Sequence, residues 1–290
     1  MSALLILVIV FLYSCQPLFC KMFTDRYPGN ANLSSSVFCI LESIAIPLFT
    51  WAWCGFRFEI LPVTFLIGLC NTIAIIGYNV SLIQAGKLGS YAFLNVMMLF
   101  GGITIPLIYS LVVLGETLSV LQIVAILLMF VVLVLMNAEE IQFKGTPPAY
   151  YIYCVLLFLF NGMYGTLLKV QSVYNDAQSK EMIIVTFGMM GVVMAIWLGM
   201  KEKKNTLAAF RLSKVSILPL LLCLLCASLA INMLVLVIPL VNVSVLYTVE
   251  NGGVLLLSAI FSMLFFKEKL SPLKIGGILL AVVSITMLSI

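Results

Sequence analysis

The chain has 290 residues, 63% of them hydrophobic and only 9% charged, with a net charge of +4, no histidine and a mean hydropathy of +1.23. Soluble domains devote about a quarter of their residues to charge, so the polar surface needed to cover a water-soluble globule is missing and the chain reads as an integral membrane protein. Catalytic triads and histidine-based metal clusters are excluded, no GxxxxGK[ST] loop offers ATP a cradle, and the scattered basic residues point to no nucleic-acid partner.

A spanning helix needs about 20 apolar residues, so the length holds about ten helices and leaves no room for an extramembrane domain. Apolar runs between charged or Pro/Gly breaks predict helices over 2–23, 34–56, 60–83, 88–113 and 118–136, then 149–170, 182–200, 215–237, 243–266 and 271–289. The first run lacks a basic leader and continues through Gln16 and Pro17 to Lys21 with no small-residue cleavage site, so it is read as a helix and not as a signal peptide. Ser119 with Gln122 has the spacing of a capping box for the fifth helix, and Ser271 with Pro272 supplies an N-cap and a first-turn proline for the tenth. A polar linker from Asn137 to Pro148 divides two five-helix modules, 1–140 and 141–290.

The end of the first module reappears at the end of the second. Leu114–Ile123 lies over Phe266–Ile275 at a shift of 152 residues, with Glu, Leu, Ser, Leu and Ile coincident, and the same shift superposes Leu94 on Leu246, Gly101 on Gly253, Ser110 on Ser262 and Val131 on Val283. An odd number of crossings per repeat inserts the two copies upside down, the arrangement that lets a carrier rock about a central site. Expected, then, is an all-α integral membrane protein with ten transmembrane helices in two inverted five-helix repeats.

Gly115, Glu116, Thr117 and Leu118 before an apolar helix, and Lys267, Glu268, Lys269 and Leu270 before Gly276 and Gly277, resemble the repeat ends of ten-helix EamA-type proteins of the drug/metabolite transporter superfamily. The resemblance covers the whole chain in helix count and two-half layout, while the motif itself is short. It implies a secondary carrier of small organic solutes, with a cavity lined mainly by helices one to four and six to nine and the fifth and tenth at the edge. Lys21 and Lys169 match a basic position common in that family, whereas its frequent tryptophan early in helix one is absent.

With both termini outside, the cytoplasmic loops hold Lys21, Arg26, Lys87, Lys144, the run Lys201, Lys203, Lys204, Arg211 and Lys214, and Lys267, Lys269 and Lys274, twelve of the fifteen basic residues. The positive-inside rule therefore places the termini outside, the reverse of many members of the resembled family, and the expected location is a plasma membrane of bacterial type. The eight cysteines lie in or beside apolar spans and read as small buried hydrophobes, the Cys223/Cys226 pair included.

Only Glu42 and Glu250, of eleven acidic residues, fall well inside predicted spans. Each is about eight residues from a helix end, on the order of 12 Å deep. An anion there costs several kcal/mol, so each is a candidate for substrate recognition or proton coupling; the alternative is a hydrogen bond to a neighbouring helix. Asn251, Gly252 and Gly253 follow Glu250 with an amide and two helix-loosening residues, as expected where backbone lines a cavity.

Gln16, Asn71, Asn79, Asn95, Asn161 and Asn232 lie on the helices expected to face it, as glue between helices or as a wet lining. Tyr13, Tyr78, Tyr91, Tyr164 and Tyr247 offer aromatic faces to an ammonium group, or sit at headgroup level or between helices. Trp51, Trp53 and Trp197 read as interfacial belt residues.

The expectation is a secondary active transporter working by alternating access, with amines, cationic metabolites or amino acids favoured and protons as a coupling ion. No basic residue lies near the middle of a span, which ranks phosphorylated and nucleotide-linked sugars lower. A non-transporting scaffold or receptor subunit is the alternative from another class. No enzyme activity, cofactor or metal is implied; lipid is a partner, and monomer and homodimer both stay open.

Overall fold

The computed structural model describes residues 2–28, 31–89, 91–140, 147–202, 210–266 and 271–288. Among them there is no strand. The helices are α1 (Ser2–Thr24), α2 (Ala31–Trp53), α3 (Pro62–Leu88), α4 (Tyr91–Val112), α5 (Val120–Asn137), α6 (Pro148–Asn175), α7 (Ser179–Glu202), α8 (Lys214–Val237), α9 (Val243–Phe266) and α10 (Pro272–Leu288). By length and composition 8 apolar spans among the described residues suffice to cross a membrane. One of these is the 54-residue stretch Pro148–Lys201, where α6 and α7 follow each other with only a single 3-10 turn, Asp176–Gln178, between them. The 17 residues of α10 make a shorter apolar helix.

Local chemistry accounts for the ends. Ser119 Oγ accepts from Gln122 N at 3.2 Å and Gln122 Oε1 accepts from Ser119 N at 3.1 Å, the capping box the sequence announces. Ser271 Oγ likewise accepts from Lys274 N at 3.3 Å ahead of Pro272. α4 stops where Gly115 turns to φ +64°, a conformation that penalises any Cβ, and Glu116 N closes back on Ser110 O at 3.0 Å. α6 runs five residues past its expected end at 170, because Gln171–Tyr174 contains neither Pro nor Gly to stop it, and this carries Lys169 inside the helix.

The chain packs as two compact units that each draw on both sequence modules. Unit 1 comprises residues 3–72 and 171–237; unit 2 comprises 73–170 and 238–290. In unit 1, α2 pairs most extensively with α7 and then with α8. Gly191 of α7 lies directly against Ser43 of α2, and Val185 stands 2.9 Å from where a Cβ on Gly68 would sit. Phe23, Tyr27, Val37, Leu220 and Leu224 close the α1/α2/α8 corner.

In unit 2 the main pairings are α5 with α10 and α4 with α9. Ser284 Oγ donates to Ala125 O at 2.7 Å across the first, over a core of Ile126, Met129, Val132 and Leu133. Gly101 of α4 meets the Phe158 carbonyl of α6 so closely that no Cβ fits. Leu94 and Leu246, superposed by the 152-residue shift, are both fully buried.

Apolar side chains also cover the outside: Leu4, Leu7 and Phe11 on α1, Leu127, Val131 and Val134 on α5, and Leu279, Val282 and Val283 on α10 are exposed. Water would not tolerate that much apolar surface, but lipid does. Trp51, Trp53 and Trp197 are about two-fifths exposed near helix ends, and Lys201 Nζ sits 4.6 Å from the Trp197 ring centre. Partial exposure near helix ends is compatible with the interfacial belt expected of them.

Candidate functional site

Each unit contains one intramembrane acid with its own polar surroundings. In unit 1, Glu42 sits midway along α2 and is 8% exposed. Gln16 Nε2, from α1, donates to Glu42 Oε1 at 3.3 Å, so the structure joins two of the candidate residues directly. The Gln16 carbonyl in turn accepts from Cys223 Sγ of α8 at 3.2 Å.

Asn232, also on α8 and fully buried, donates to Thr50 Oγ1 of α2 at 2.8 Å and to Ser228 O at 2.9 Å. Those bonds are helix glue, yet Asn232 Oδ1 is buried with no partner among the described residues. Asn71 is fully buried on α3 with neither its Nδ2 nor its Oδ1 bonded to any described residue. Beside it Thr72 Oγ1 donates to Gly68 O at 2.9 Å and to Thr186 O at 3.1 Å.

In unit 2, Glu250 and its companions share one face of α9. Tyr247, one turn before the acid, donates from its hydroxyl to Gly165 O of α6 at 2.8 Å. Gly165 is what admits the ring, since a Cβ there would lie 3.1 Å from Tyr247 Cζ. Asn251 Nδ2 donates back to Tyr247 O at 2.8 Å, and Asn161 Nδ2 of α6 donates to Met98 O of α4 at 2.8 Å. Gly102 of α4 brings these two amides together: a Cβ on it would meet Asn161 Nδ2 at 2.8 Å and Asn251 Oδ1 at 3.1 Å.

The result is a convergence of α4, α6 and α9 around two amides and a tyrosine, and in electrostatic range of that tyrosine lies the Glu250 carboxyl. Its Oε2 is buried with no hydrogen-bond partner among the described residues. Tyr164 is half-buried and within electrostatic range of Tyr247. Asn79 on α3 and Asn95 on α4 are half-buried, while the side chain of Tyr91 lies outside the described residues.

Three features that the sequence reading did not place in a site support this arrangement. Glu116 Oε1 accepts from Val243 N at 3.5 Å, which puts a carboxylate at the first turn of the helix that carries Glu250. The 152-residue repeat signals a role for that glutamate without saying which; its counterpart Glu268 falls, with Lys267, Lys269 and Leu270, outside the described residues. Lys169, 7% exposed, donates to Ile238 O at 3.0 Å, at the turn just before α9. Ser110 of α4 and Ser244 of α9 share a short hydroxyl hydrogen bond, and Thr248 Oγ1 donates to Ser244 O at 2.6 Å.

No protein-family model matches the chain, and no curated protein matches it either. Among solved structures 28 chains match. One of them, titled only "Crystal structure of protein", aligns over 99% of this chain and 94% of its own length, with a TM-score of 0.76 and 13% sequence identity. At that identity the likeness shows the fold alone.

Proposed function

We propose that this chain is a secondary carrier of a small organic solute, built as ten spans in two inverted five-helix repeats of the drug/metabolite transporter kind and working by alternating access. Glu250 is its recognition or coupling carboxylate. The reading rests on one observation above the others: a buried carboxyl oxygen, Oε2 of Glu250, finds no partner among amides and a tyrosine that do have theirs. Leaving such an oxygen unmet is costly in lipid, and a protonated amine or a proton satisfies it.

The principal pairings add support, since α2 with α7, α4 with α9 and α5 with α10 each join a helix to its counterpart five helices on. A pseudo-two-fold axis in the membrane plane generates such self-pairings. The distribution of basic residues supports an orientation with both termini outside. A cationic or zwitterionic solute, an amine or an amino acid, fits an acid flanked by Tyr247 and Tyr164 better than a phosphate does.

Reconstitution tests this. Liposomes holding the purified chain should take up labelled amines or amino acids when a pH step is applied, above the rate of empty liposomes, and Glu250→Gln should abolish the uptake. Equal flux in that variant removes Glu250 from the mechanism. No flux in the parent protein, across a panel of such solutes, favours a non-transporting scaffold.

A further inference from the structure

Unit 1 contains a cavity of about 400 Å³ between the end of α2, the turn from α6 into α7 and the end of α8. This is within the size range of small-molecule sites. Arg57 and Lys180 bring two positive charges to it, Asp176 and Glu181 two negative ones, and Ala177, Val235 and Leu236 an apolar wall.

The charges have not cancelled one another. No ion pair within 4 Å joins any two of these four side chains among the described residues, and Glu181 Oε2 is buried with no hydrogen-bond partner. Asp176 is committed locally, its Oδ1 accepting from Ser179 Oγ at 3.3 Å across the start of α7. That leaves Glu181 as the acceptor in want of a donor. It also leaves Arg57 and Lys180 as donors on the positive side.

Next to the cavity, Gln178 Oε1 accepts from Leu61 N at 3.0 Å and its Nε2 donates to Glu59 O at 3.1 Å, which ties the α6/α7 turn to the α2/α3 loop. Cys54 lines the same cavity, with Lys180 and Glu181 both in electrostatic range of its thiol.

A pure anion would face Asp176 and Glu181, and a pure cation would face Arg57 and Lys180. We propose that the cavity binds a small zwitterion, an aliphatic α-amino acid, whose carboxylate meets Arg57 and Lys180, whose ammonium meets Glu181, and whose side chain lies on Val235 and Leu236. This names a substrate class for the carrier and rests on that reading only for whether the bound molecule is then moved; binding itself stands or falls separately.

Cys54 supplies the assay. The full-length protein in neutral detergent is treated with N-ethylmaleimide, and labelling at Cys54 is followed by peptide mass spectrometry. L-leucine at ten times its dissociation constant should slow that labelling about tenfold. Leucinamide, which lacks the carboxylate, and 4-methylpentanoate, which lacks the ammonium, should leave it near its unprotected rate. Glu181→Gln and Arg57→Gln should each leave leucine without effect when labelling is scored as the ratio of that variant's own rates without and with leucine, with Lys180→Gln as a second variant on the positive side.

Absence of leucine protection overturns the proposal. So does equal protection by leucinamide or 4-methylpentanoate, which would make the site a plain ion site. Protection by mixed micelles containing phosphatidylethanolamine, to the extent leucine gives, would make it a lipid-headgroup site and overturns it too. Because no flux is measured, a failure of binding is distinguishable from a failure of transport.

Discussion

Unit 1 and unit 2 treat an acid inside the membrane differently. Glu42 lies at the middle of α2, 8% exposed, with an amide from α1 already on its carboxyl. Glu250 shares its face of α9 with Tyr247 and Asn251, but their bonds run to backbone carbonyls at 2.8 Å and, among the described residues, one of its own oxygens is left without a donor. The contrast separates two uses of the same side chain. A carboxyl whose needs the fold meets holds helices together, while one whose neighbours are occupied elsewhere is kept for a partner that comes and goes.

The comparison breaks first on transport. Glu250→Gln is expected to abolish pH-driven uptake, with thermal unfolding in detergent unchanged or raised. Glu42→Gln keeps most of the flux, since an amide there still bonds to Gln16. Equal losses in both variants would erase the distinction between the units.

Packing gives the next largest effect. Gly101→Ala in unit 2 pushes a methyl into the Phe158 carbonyl, and backbone does not yield, so a loss of about 1–3 kcal/mol is expected in thermal unfolding. Gly191→Ala in unit 1 meets the Ser43 side chain, which a rotamer change relieves in part, so its cost should be the smaller of the two.

Gln16→Leu then removes the amide from Glu42 and should cost about 1 kcal/mol of stability, with uptake per folded molecule close to that of the parent. A large fall in flux at unchanged stability would make Glu42, and not Glu250, the acid that meets the solute. Ser119→Ala, outside both acid clusters, deletes an exposed cap and should cost about 0.5–1 kcal/mol with no change in transport.

The helices are legible because lipid leaves few alternatives: a long apolar run must satisfy its backbone internally, and the expected span 243–266 coincides with α9. Ser119 and Gln122 announce their own box because both partners lie within one turn. Boundaries such as the end of α6 are less visible, since the residues after Val170 are polar enough to read as loop yet carry nothing that stops a helix.

Of the candidate site, the two acids can be read from charge inside apolar runs, and Asn251 from its place beside Glu250. Which amide reaches which acid cannot, because Gln16 and Glu42 are 26 residues apart and Asn161 and Met98 are 63 apart. Only tertiary packing sets those contacts. The Glu116 contact with the start of α9 is hidden for the same reason, although the repeat singles the residue out.

The most direct measurement separates net uptake from exchange in liposomes containing the parent chain and Glu250→Gln. If Glu250 carries the coupling proton, the variant loses uptake driven by a pH step and retains exchange of labelled for unlabelled solute at equal pH on both sides. Uptake responding to the pH step as steeply in Glu250→Gln as in the parent would contradict that role.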